Sequence, residues 1–204
     1  MKAYCLGIAL IAVSLSSSAQ SQIPPPVPHG MIVDVMPVPQ SLTQLVDMSS
    51  LIVEGVVEKV MPSRRGAGQT WVETDSVISI TQIFKGSAGG STIVIAQMGG
   101  RAGEDQPVQY SIVQPGERYI LCLKEDNRTT IPSVAGLKRY GVTAAWAGLL
   151  SVGSDGLIHT DSKYTDPLRK TFEGKSKASM IDLINNAMVP APTPVPPPFP
   201  GILK

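Results

Sequence analysis

Leu51-Ile52-Val53-Glu54-Gly55-Val56-Val57-Glu58-Lys59-Val60 decides the fold. The run is dense in β-branched residues, which suit a pleated, half-buried surface. Gly55 interrupts it, and a glycine inside a strand marks a bulge or sharp bend, the device by which a sheet curls into a barrel. Upstream, Ser41 followed three residues later by Gln44 is a capping-box pattern. Leu42, Leu45, Val46 and Ser49 then share one face at helical spacing, which predicts a short helix before the strand.

Downstream, Ser63 to Gln69 reads as a loop containing Arg64-Arg65, a solvated tip. Thr70 to Phe84 is a long second strand with Val72, Thr74, Ser76, Ile78, Ile80 and Phe84 on one face and Glu73 and Asp75 on the other. A glycine-rich turn, Lys85 to Ser91, precedes a short apolar strand from Thr92 to Ala96, closed by Gly99-Gly100. Arg101 to Val108 is polar and loop-like. Pro115-Gly116 has turn chemistry and leads into Tyr119-Ile120-Leu121-Cys122-Leu123, a central buried strand. Thr129 to Val134 and Thr143 to Val152, with Trp146 inside it, are expected as strands. Ser154-Asp155-Gly156 joins the latter to Leu157-Ile158 as a hairpin. A last helix is expected from about Ser179, with Ser179 as its cap, Asp182 at the third helical position, and Met180, Ile181, Ile184 and Met188 as its apolar stripe.

Strands in the middle and helices only at the two ends predict a mainly β fold. The expected form is a small, closed or partly open OB-like antiparallel barrel, with a short helix on its N-terminal side and one helix on its C-terminal side. The absence of βαβ alternation argues against a parallel-sheet enzyme fold.

Composition sets the boundaries around this barrel. Met1-Lys2, the apolar run Leu6 to Leu15 and the small residues Ser16 to Ala19 read as a secretory signal peptide over residues 1–19. Cleavage is expected between Ala19 and Gln20. The run is about half of the ~20 residues that cross a bilayer, so no stable membrane insertion is expected afterwards. Six prolines fall between Pro24 and Pro39, seven between Pro190 and Pro200, and five in the stretch between. Residues 20–40 and 189–204 therefore read as proline-rich, polyproline-like arms flanking a domain over 41–188. Removing Lys2 leaves 16 basic residues against 16 acidic ones, from 17 and 16 in the full chain. A scattered, neutral charge leaves no footprint for nucleic acid. Cys122 is the one cysteine left after cleavage, so the fold needs no disulfide, and its apolar setting makes it a small buried hydrophobe.

Several of these segments carry a resemblance: Ser50 to Val57, Thr74 through Phe84-Lys85-Gly86, Ile93-Val94-Ile95 to Gly99-Gly100, Pro115-Gly116-Glu117-Arg118-Tyr119 to Leu123, and Tyr140-Gly141 to Gly148-Leu149. Together they resemble a pattern in exported bacterial proteins of unknown function whose OB-type barrel is similar to the netrin-like domain of tissue inhibitors of metalloproteinases. The resemblance implies a barrel. It does not carry over the inhibitory site, because those inhibitors chelate zinc through an N-terminal cysteine and none lies near Gln20.

Catalytic and metal patterns are sparse. His29 and His159 are the two histidines, and neither has a partner at zinc-site spacing. His159 with Asp161 suggests part of a Ser-His-Asp set, but no Gly-x-Ser-x-Gly elbow presents a nucleophile. Glu73 and Asp75 form a carboxylate pair that needs a cleft to do acid–base work. No cofactor is implied. The expectation is therefore an exported, monomeric, non-enzymatic interaction module, periplasmic or extracellular, that binds an unidentified protein or glycan. Its candidate interaction residues are Arg64, Arg65, Arg101, Glu104 and Asp105 in two loops, while Trp71 and Trp146, far apart in sequence, read as core or rim residues. The alternatives are an inhibitor that inserts a barrel loop into a secreted protease, and a hydrolase with a hidden site.

Overall fold

The computed structural model describes residues 38–65, 72–100, 112–127, 134, 136–144, 147–160 and 167–189. The expected signal segment with Ala19 and Gln20, most of both proline-rich arms, Trp71, Arg101, Glu104, Asp105, most of the expected 129–134 strand, Trp146 and Asp161 lie outside these residues.

Helix α1 (Leu42–Met48) comes first, followed by β1 (Leu51–Val60), β2 (Arg64–Arg65), β3 (Val72–Lys85), β4 (Thr92–Met98), β5 (Arg118–Glu125), β6 (Arg139–Val142), β7 (Leu149–Val152) and β8 (Ile158–His159). Helices α2 (Pro167–Lys170) and α3 (Lys177–Ala187) end the described chain. Five strands close on themselves in the order β1-β3-β4-β6-β5 and back to β1, the arrangement of an OB-type barrel. All pairings are antiparallel except β4 with β6, which run parallel and complete the ring. Strand β2 adds to β3, β7 adds to β5, and β8 adds to β7 outside the ring.

Alternation along the strands produces two cores. Leu51, Val53, Val57, Ile78, Ile93, Ile95, Leu121, Leu123 and Tyr140 fill the barrel interior. Ile52, Ile120, Cys122 and Leu150 point the other way and pack against α1, α3, Leu168 and Phe172. Strands β1 and β5 are therefore buried on both faces, which explains their nearly unbroken apolar sequences.

Two glycines carry the bends. The β1–β3 register shifts between Glu54 and Gly55. A Cβ at Gly55 would lie 2.5 Å from Ile78 Cγ2 and 2.9 Å from the Ser79 carbonyl oxygen, so the bulge permits a close strand approach. Gly86 ends β3 with φ +78°, and a Cβ there would collide with the Ser50 carbonyl oxygen.

The structure corrects several sequence expectations. Arg64-Arg65 form β2 and are not a loop tip. The strand expected over Thr143 to Val152 begins only at Leu149. Thr143 N–H donates to the Cys122 carbonyl at 2.9 Å and Cys122 N–H donates to the Gly148 carbonyl at 2.8 Å. Thr143, Ala144, Ala147 and Gly148 lie in turns, with Ala144 at φ +51°. A preceding short strand, β6, supplies the barrel pairing instead.

At α1, Ser41 caps as expected, its hydroxyl accepting from Gln44 N–H at 3.2 Å. Gln44 reaches back one residue further than the capping box requires, its Oε1 accepting from Gln40 N–H at 2.8 Å. Lys85 Nζ donates to the Val46 carbonyl at 2.6 Å, a cation at the helix C-terminus. Helix α3 starts two residues before Ser179. Its cap is Ser176, whose hydroxyl accepts from Ser179 N–H at 3.1 Å. Ser179 thus supplies a backbone donor, and Asp182 lies in the second turn. Ser176→Ala is expected to lower stability by about 1 kcal/mol and Ser179→Ala by a few tenths, read from urea midpoints. Equal losses would contradict this placement of the cap.

Candidate functional site

The side chains of Ile78 and Tyr140 enter the barrel. The pleat therefore sends Glu73 and Asp75 on β3, and Arg139 on β6, to the outer wall. Outer-wall charges are ordinarily solvated, yet Glu73 is 2 % exposed, Asp75 0 % and Arg139 5 %. Glu73 and Asp75 share one face of the strand, as expected, and that face is covered.

Arg139 organises them. Its Nη2 donates to Glu73 Oε2 at 2.9 Å and to Asp75 Oδ1 at 2.9 Å, and its Nε donates to Asp75 Oδ1 at 3.2 Å. Its Nη1 binds Asp126 Oδ2, while Asp126 N–H donates to the Arg139 carbonyl at 3.0 Å. Arg64 Nη2 on β2 donates to the second Asp75 oxygen at 2.6 Å. The planar guanidinium fork suits this many-sided contact, and a lysine would supply a point charge in its place.

Next to this wall, the inner face is tied by hydroxyls. Thr74 Oγ1 donates to the Gly99 carbonyl at 2.7 Å and lies 2.8 Å from Ser63 Oγ. Gln97 Oε1 accepts from Val113 N–H at 3.3 Å. One end of β3 thus fixes the chain after β1 and the chain after β4, Gln97 on β4 fixes the chain before β5, and Arg139 fixes the chain after β5. Chemically this is a clamp. Glu73 and Asp75 are buried and both engage guanidinium groups, so the same partner holds both carboxylates in their charged form and the arrangement does not separate an acid from a base.

The other candidate groups lie elsewhere. Cys122 is fully buried on the outer face of β5 among the helices, and burial pushes its thiol pKa up to about 12. It behaves as the small buried hydrophobe expected from its sequence context. His159 sits exposed at the end of β8, its Nε2 3.1 Å from Asp155 Oδ2 and its Nδ1 3.5 Å from Glu173 Oε1. Tyr119 donates its hydroxyl to Glu117 Oε2 at 2.6 Å, as expected of a wall tyrosine. Among the described residues no group of three His, Cys, Asp or Glu side chains is arranged to hold a metal ion. None of the described helices is long and apolar enough to cross a membrane.

Arg139→Met is expected to cost about 3–5 kcal/mol, because it removes the guanidinium shared by three largely buried carboxylates, Glu73, Asp75 and Asp126, and leaves Arg64 to Asp75 alone. Replacing Arg139, Glu73, Asp75 and Asp126 together by apolar residues of similar volume is expected to recover most of that loss. Chemical denaturation of both variants checks the pair. A marginal effect of the single change would show that water reaches the cluster.

The histidine predicts a pH profile. Hydrogen bonding to Asp155 raises the His159 pKa above its ordinary 6.5. Hydrogen bonds from Leu157 N–H and then from His159 lower Asp155 below 3.8, and bonds from Thr160 lower Glu173 below 4.5. The histidine contribution is complete below pH 6.5 and fades as pH rises through the raised value. The carboxylate contributions are complete above pH 4.5 and fade as pH falls through the lowered values. Urea midpoints should therefore peak between these limits, and His159→Gln should flatten the alkaline side. An unchanged alkaline slope in the variant would exclude His159 as its source.

Neither family models nor curated proteins yield a match to this chain.

Proposed function

We propose that this chain is an exported, non-enzymatic binding module that recognises a protein or glycan through the barrel wall carrying the Arg139 cluster. OB-type barrels bind ligands on the face of their second and third strands, rimmed by the loops after strands one and four. In this chain that face is β3 and β4, and the described residues of the rimming connections are 61–65, 126–127, 134 and 136–138. The observation that carries the proposal is that one buried guanidinium network reaches both rims. Arg64 lies in the first and Asp126 in the second, and both meet β3 or β6 through ion pairs. Burying charge is expensive, and the best-attested use of such groups is to fix one arrangement of the chain. Two recognition loops held on a rigid wall bind with little ordering cost. The signal-like N-terminus and the proline-rich arms fit export and spacing from a surface.

Screening the mature protein against a glycan array and a displayed peptide library tests the proposal. The resulting complex is then mapped by hydrogen exchange. Protection is expected at 61–65, 73–75, 96–98 and 126–127. Protection confined to α1 and α3, or no ligand in either screen, would overturn it.

A further inference from the structure

One short pattern occurs in both proline-rich arms. Ile23-Pro24-Pro25-Pro26-Val27-Pro28 and Val195-Pro196-Pro197-Pro198-Phe199-Pro200 each read as a β-branched residue, three prolines, an apolar residue and a final proline. The chain has no other run of three prolines, and neither stretch carries a charge.

Proline presets φ near about −65° and has no N–H. Three in a row favour the polyproline II helix, which has three residues per turn and no internal hydrogen bonds. At that period Pro25 and Pro28 share a ridge, as do Pro197 and Pro200. Val27 falls in line with Pro24, and Phe199 with Pro196. Every ridge is therefore apolar, while the carbonyls between them find no donor in the helix itself. The complementary surface is a groove lined by aromatic rings, which pack between the ridges and donate indole N–H or phenol O–H groups to those carbonyls.

The fold of this chain does not present such a groove among its described residues. Tyr119, Tyr140 and Phe172 are buried, and Phe84 packs against the helical core. The exposed large apolar side chains are Val38, Ile83, Met98 and Val189, none of them aromatic. Val38 and Val189, the first and last described residues, are 47 % and 68 % exposed. An aromatic groove for either motif thus has to come from another protein.

We propose that the two arms are paired docking motifs for a polyproline-reading protein domain, one domain to each arm. A single chain then recruits two partner domains, and the barrel wall stays free for the ligand proposed above. The two readings rest on different residues, and either can fail alone.

Calorimetric titration of the mature chain with an SH3 domain and with a WW domain tests this. Saturation by at least one of them at micromolar concentration is expected, with two domains bound per chain. Pro25→Ala with Pro28→Ala should leave one site, and Pro197→Ala with Pro200→Ala should leave the other. All four changes together should weaken binding by about tenfold or more. They lie outside the described residues, so the melting temperature should stay that of the parent. No binding of either domain, a single site lost through one arm alone, or undiminished binding by the fourfold variant would each overturn the proposal.

Discussion

Three residue pairs close this barrel: Val94 with Arg139, Ile95 with Tyr140 and Ala96 with Gly141. They form the one parallel pairing in the ring, and without them β4 and β6 would end as open edges. Parallel pairing is slightly weaker per residue than antiparallel, and four residues make a short strand. Side chains compensate on both faces. Tyr140 and Val142 extend the interior core, while Arg139 carries the ion cluster that joins β6 to β3 and to the chain leaving β5. The seam and the clamp are thus one construction, and the candidate recognition wall inherits its rigidity from the closure itself.

The helical side depends on the same strands. A seven-residue helix such as α1 has little stability of its own. It is held by Leu45 and Val46 on the outer face of β1 and β5, and by the Lys85 ammonium at its last carbonyls. Strand β3 therefore ties down α1 with one end and the barrel seam with the other.

Much of the barrel was legible because its cues are local. Strands β1, β3, β4 and β5 declare themselves through β-branched runs and turn residues, and Ser154-Asp155-Gly156 does form the β7–β8 turn. Strand β6 was missed because Arg139-Tyr140-Gly141-Val142 offers neither length nor clean alternation. The turn residues 143–144 and 147–148 are hidden in the sequence because their cause lies in distant partners, the backbone N–H and carbonyl of Cys122. Both Ser176 and Ser179 suit a helix start by composition, and only the observed donor separates them. The Arg139 cluster was least legible. Alternation shows that Glu73 and Asp75 share a face, but not that the face is covered, nor that a guanidinium some 65 residues away reaches it (|i−j| of 64 to 66).

The order of the ring also dictates how the chain has to assemble. Leu51 finds its β5 partner only at Leu123. As the polypeptide emerges, β1 can pair with β3 well before its other edge is covered. Through that interval an apolar ladder with free amides waits for its neighbour, the kind of edge on which nascent chains aggregate. Widely separated pairings make folding slow, so this small protein has a vulnerable period in its synthesis that ends when β5 slots in beside β1.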